Sequence, residues 1–126
     1  MGTIAEGVKQ AIENCLKVKR DETVVIITDQ ETFEIGSGLR AAVEKATGHA
    51  AQFFVMEDFG SRPIPLPQAI DEALRAADVS IYAAQGAKGE LATFRKPMLE
   101  AVEANPKIRH AHMVGITPRI MADGMC

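Results

Sequence analysis

Three stretches of this sequence hold residue types that carry chemistry at related spacings. The first is Gly86-Ala87-Lys88-Gly89-Glu90, directly after the apolar run "DVSIYAA" and Gln85. Glycines beside a lysine can cradle a phosphate. A P-loop, however, needs lysine directly after its second glycine, followed by a hydroxyl for magnesium. Here lysine precedes the second glycine and Glu90 follows it, an acid that repels phosphate. A dinucleotide fingerprint is missing as well, since the turn "TDQETFEIG" after the first predicted strand lacks the G-x-G-x-x-G pattern. The stretch reads as a turn between strand and helix whose glycines tolerate positive φ.

The second stretch is His110-x-His112. Residues two apart on a strand share a face, so both imidazoles could grip one metal ion. No carboxylate stands nearby at a metal spacing, so the pair reads as two histidines on the half-covered face of an edge strand. The third is Glu57-Asp58. Catalytic carboxylates need a fixed separation across a substrate and a shifted pKa on one member, whereas adjacent acids at a strand end usually solvate a loop. The sequence has no serine elbow, no H-E-x-x-H and no C-x-x-C. No catalytic constellation is assembled within it, and it carries no cofactor motif.

The elements that must position these residues alternate. Residues 3–16 read as a helix, with Ile4, Val8, Ile12 and Leu16 on one stripe beside Ala11 and Cys15, and with Thr3 and Glu6 suited to a capping box. "ETVVIITD" (22–29) is a β-branched block with apolar residues on both faces, the mark of a central parallel strand. Asp29 opens a second helix to about Thr47, and Gly48 suits a left-handed C-cap. "AAQFFVME" (50–57) is the second strand. "DFGSRPIPLP" (58–67) must be an extended crossover, leading to a helix with Pro67 near its first turn. "DVSIYAA" (78–84) is the third strand. A fourth helix runs to about Ala104, and Pro97 requires it either to start near Thr93–Lys96 or to kink there. "IRHAHMV" (108–114) is the fourth strand, followed by a short helix with Thr117 as N-cap and Pro118 at its first position.

This order predicts one α/β domain over residues 1–126. It is a three-layer fold with a four-stranded parallel sheet in flavodoxin-like order 2-1-3-4 and helices on both faces. Strand 1, the most apolar, takes the centre. In such a sheet ligands sit beyond the carboxyl ends of the strands where the order reverses. That point lies between strands 1 and 3, where Asp29, Gln30 and Thr32 would face Gln85, Gly86 and Lys88.

Composition excludes several classes. Apolar residues make up 47% and charged residues 25%, with net charge -3 and few aromatics, so no basic, ring-bearing nucleic-acid surface is expected. No run approaches the roughly 18 apolar residues of a membrane span, and no signal peptide is visible. The two cysteines, Cys15 and Cys126, lie far apart; Cys15 reads as core packing and the expected compartment is the cytoplasm. Met113, Met121 and Met125 read as gap-fillers.

Four segments, in order, resemble the thermophilic-type metallo-aminopeptidases, the leucyl aminopeptidase / aminopeptidase T family. "DETVVIITDQET" resembles the family's G-E-x-V-L-I-x-T-D opening, and "AADVSIYAAQ" its A-D-V-V-I-x-x-T segment. "FRKPMLEA" matches its A-R-x-x-A helix in part. "RHAHMVGITPRIM" is similar to R-x-A-x-M-P-G-I-T-x-x-M, the most specific of the four. Together they span residues 18–122. The family's S-x-S-H-T stretch appears here as Lys88-Gly89-Glu90-Leu91-Ala92, and Pro97 and Val114 also depart, so the role of those hydroxyls has no counterpart in this chain. The resemblance implies the amino-terminal, non-catalytic half of a two-domain enzyme that removes N-terminal amino acids. Its two divalent metals would be bound by a C-terminal domain outside this chain. That domain, or further copies of the chain, would be its partner. Metal-dependent ring-opening dioxygenases share this architecture, so the parent activity stays open between the two. The alternative is a free-standing flavodoxin-like module that binds a small molecule between strands 1 and 3.

Overall fold

Five consecutive residues of the first strand, β1 (Val24–Thr28), are buried, which requires a covered layer on each side of it. A computed structural model describes residues 2–124 and supplies both layers. The elements that follow β1 are α2 (Phe33–Thr47), β2 (Gln52–Val55), α3 (Gln68–Ala76), β3 (Val79–Ala84), α4 (Lys96–Glu103), β4 (Arg109–Val114) and α5 (Pro118–Asp123); α1 (Ile4–Gln10) precedes it. The sheet order is β2-β1-β3-β4 and every pair is parallel, as the sequence predicts. Val24 lies opposite Val79, and Thr28 opposite Val55 and Ala83.

Side chains alternate across the sheet. Val24, Ile26, Val79 and Ile81 face α1, α2 and α5, where Ile12, Ile35, Leu39, Val43 and Met121 meet them. Val25, Ile27, Tyr82 and Ala84 face α3 and α4, packing on Ile70, Leu74, Phe94 and Met98. At about 25 cal/mol per Å² of apolar area, these two clusters are the main source of stability.

The caps fall where expected. The Thr3 hydroxyl accepts from the Glu6 amide at 3.1 Å, Thr117 caps α5, and Gly48 closes α2 at φ 87°. Asp29 does not open α2 directly. It precedes a tight turn, and the helix starts four residues later at Phe33. α1 widens into a π-helical turn over Ala11–Cys15. Cys15 is half-buried there and is not a free thiol; Cys126 and Met125 lie outside the described residues.

Of the two readings of Pro97 the start holds, since α4 begins at Lys96 with Pro97 next in line. A π turn, Leu91–Arg95, runs straight into α4 with Pro97 in its first turn. Proline offers no N–H to the Thr93 carbonyl. The Leu66 amide donates to that carbonyl instead, at 3.0 Å, while the Thr93 hydroxyl donates to the Ile64 carbonyl at 2.9 Å. The crossover segment before α3 is thereby stitched to the start of α4, and Ile64 is buried. Asn105, beyond α4, is also buried and donates to the Leu74 and Ala77 carbonyls at 2.9 and 2.8 Å, closing the end of α3. Among the described residues no helix is long and apolar enough to cross a membrane.

Candidate functional site

β1 and β3 are adjacent, but the connections leaving them diverge, which opens a crevice at their carboxyl ends. Asp29 stands at its floor, fully buried, one residue beyond β1. One carboxylate oxygen accepts from the Thr32 amide at 2.8 Å and lies 2.5 Å from the Thr32 hydroxyl. The other accepts from the Gln85 amide at 2.8 Å. The Thr32 hydroxyl is also 2.8 Å from the Ala83 carbonyl, and the Gln85 side chain donates to the Ile116 carbonyl at 2.6 Å. Asp29, Thr32 and Gln85 therefore meet as the sequence predicts. Gln30, Gly86 and Lys88 are exposed at the rim, and the Gln30 amide donates to Glu57 at 3.0 Å.

The space among them is filled by Arg62, from the proline-rich crossover. Its Nε and Nη2 donate to the two oxygens of Glu90 at 2.9 and 2.6 Å, a bidentate pair. Nη2 also reaches the Gln85 carbonyl at 2.6 Å, and Nη1 donates to Asp29 at 2.5 Å. Glu57 lies 3.6 Å from Nη1. Glu90 is fully buried and takes a further bond from the Ile64 amide at 3.2 Å.

Burial pushes the Asp29 carboxyl up, but hydrogen bonds from Thr32, Arg62 and the Gln85 amide outweigh it and leave it below its ordinary value. Glu90 follows the same logic, with Arg62 the main opposing influence. The Glu90 hydrogen bonds raise the guanidinium in turn, against burial. Both acids stay ionised near neutrality, so neither serves as a general acid there. The hydroxyl in the crevice, that of Thr32, is engaged by Asp29 and the Ala83 carbonyl. The arrangement is a charged lock on the crossover.

The histidine pair sits where the pattern places it, on one face of the edge strand β4. The imidazole centroids are 5.7 Å apart. His110 Nδ1 lies 2.6 Å from the Ser80 hydroxyl, and His112 stacks on the Tyr82 ring at 5.1 Å. Among the described residues no group of three or more His, Cys, Asp or Glu side chains could hold a metal ion. Burial pushes His110 down to about 4, so it is neutral at pH 7, and His112 is lowered chiefly by burial too.

Sequence reasoning missed Arg62. It also took Glu90 for an acid at an open mouth and Glu57 for a solvated one. The one available signal was a lone cation amid prolines and apolar residues, four residues after Asp58.

This geometry defines a class: a three-layer α/β domain with a 2-1-3-4 parallel sheet whose switch-point crevice is closed by its own chain. Among solved structures it is similar to wild-type AmpT from Thermus thermophilus, with a TM-score of 0.56 and 11% identity. The similarity covers 91% of this chain and 36% of that one, so the chain spans little more than a third of that structure. At this identity the likeness is one of fold. No protein-family model matches the chain, and no curated protein matches it.

Proposed function

We propose that this chain is the amino-terminal, non-catalytic domain of an aminopeptidase-like metalloenzyme, with the role of shaping the substrate cleft and supporting assembly. The fold shared with AmpT over nearly all of this chain carries the reading, and the ordered motif resemblance over residues 18–122 agrees with it. The two divalent metals of such an enzyme would come from ligands outside this chain.

A surface feature supports the same role. Six large apolar side chains are exposed among the described residues, and five of them, Phe33, Phe59, Leu91, Val114 and Ile120, lie at or just after the carboxyl ends of strands. Exposed apolar groups gathered on one side mark a contact surface. The occupant in this reading is the metal-binding domain of the same enzyme, closing over the end of the sheet where the cleft would form.

The test is an assay of the purified chain on aminoacyl-anilides with added zinc, cobalt or manganese. No turnover is expected, because two-metal hydrolysis needs a ligand set that the described residues do not assemble. Turnover at enzymatic rates overturns the non-catalytic role. Sequencing the transcript tests the two-domain part: a continuation of roughly 200 residues is expected, and a stop directly after Cys126 overturns it.

A further inference from the structure

Among the described residues, three buried side-chain atoms make no hydrogen bond: Tyr82 Oη, Arg95 Nε and His110 Nε2. Such atoms are few in folded proteins, because an unpaired buried donor opposes folding. Here all three belong to one strip, where β3 meets the edge strand β4 beside the π turn that leads into α4. Tyr82, fully buried, packs against Phe94 of that turn and is stacked by His112. The Arg95 guanidinium lies at the end of the strip. Its Nη2 would be 3.8 Å from a Cβ on Gly86, and Val114 lies on the same side at 3.6 Å. Gly86, His112 and Val114 are exposed, so the strip opens to solvent there. His110 marks its inner end.

Arg95 Nε can only donate, and a phenol hydroxyl donates readily. The Arg95 charge acts on the Tyr82 phenol, and two such donors without acceptors call for a ligand that accepts. We propose that the strip binds a small monocarboxylate, held by the Arg95 guanidinium and the Tyr82 hydroxyl, with the His112 imidazole along its side. A guanidinium fork matches a carboxylate in plane. A phosphate dianion fits less well. Asp29 and Glu90 lie near enough for their charges to act on the Tyr82 phenol, and with Glu57 they outnumber the single Arg62 between them. Burial pushes Tyr82 up to about 12, so its proton stays available for donation across the working range.

The test reads binding to the chain itself and is independent of any peptidase role. Isotope-labelled protein is titrated with sodium acetate against sodium chloride at matched ionic strength, following the Gly86 and Val114 amides and the Arg95 Nε–H by NMR. Acetate is expected to shift these signals saturably while chloride does not. Arg95→Gln and Tyr82→Phe should each weaken acetate by about tenfold or more, the effect of losing a hydrogen bond to a charged group. Acetate shifts no larger than those of chloride overturn the proposal. So does phosphate binding as tightly as acetate. If Arg95→Gln fails to fold, Tyr82→Phe, which removes a single oxygen, decides: undiminished acetate binding in that variant overturns the assignment.

Discussion

Replacing Arg62 with methionine tests the lock. The substitution keeps much of the stem's bulk and removes the charge. Asp29 and Glu90, both fully buried, then lose the cation that bonds them. Removing one partner of a buried ion pair costs about 3–5 kcal/mol, because the remaining charge is uncompensated. For 126 residues, an unfolding entropy of about 2.1 cal/mol/K per residue converts that loss to a fall in Tm of about 10–20 °C. The pH dependence separates this mechanism from lost packing. In the parent, both carboxyls sit below their ordinary values near 3.8 and 4.5. Their contribution is therefore full above those values and disappears as pH falls through the depressed ones. In the variant, burial acts on Glu90 without its main opponent, so its carboxyl rises and takes a proton more easily. Asp29, still bonded by Thr32 and Gln85, moves less. The deficit should be largest at pH 7 and narrow towards pH 4, and adding Glu90→Gln to Arg62→Met should recover part of it. Urea denaturation followed by circular dichroism, at both pH values, measures the gap. A pH 7 deficit below about 1 kcal/mol, the worth of an exposed pair, or a deficit equal at both pH values, refutes the reasoning.

Two further outcomes follow from other buried polar groups. Asn105→Ala should destabilise the chain by about 2–4 kcal/mol, since the buried Leu74 and Ala77 carbonyls each lose a donor; a loss under 1 kcal/mol in urea melts would show that water replaces the amide. His110 should titrate in NMR with a midpoint near 4 rather than at its ordinary 6.5. Its folded pKa is depressed, so the unfolded chain binds the proton first, and stability should fall by about 3 kcal/mol as pH drops from 6.5 to 4. A midpoint above 6 would contradict the burial that produces the shift.

The sheet was legible because its causes are local. The β-branched block Val24–Ile27 states burial on two faces, and the alternation of strands with 3.6-period stripes leaves few parallel topologies. Caps at Thr3, Gly48 and Thr117 were readable for the same reason, since each acts within three or four residues. Pro97 was read as a start or a kink. The start is what occurs, at Lys96; what no local pattern shows is that a segment some thirty residues earlier supplies Leu66 to the carbonyl Pro97 leaves free.

The site was half legible, and the division is physical. Asp29, Thr32 and Gln85 follow from strand order alone, because any 2-1-3-4 sheet brings those strand ends together. Arg62 does not follow, since its partners stand 33 and 28 residues away and a long-range ion pair leaves no periodic trace in the sequence. The same Glu90 that breaks the phosphate-loop pattern is the residue that holds Arg62 in place. With both carboxylates saturated and the guanidinium wedged between them, an incoming ligand at the switch point must displace a bidentate, buried pair before making any contact of its own. That barrier disfavours a small-molecule module built on β1 and β3. It leaves the apolar rim and the Arg95–Tyr82 strip, whose groups are not consumed by the chain, as the surfaces on which recognition can be built.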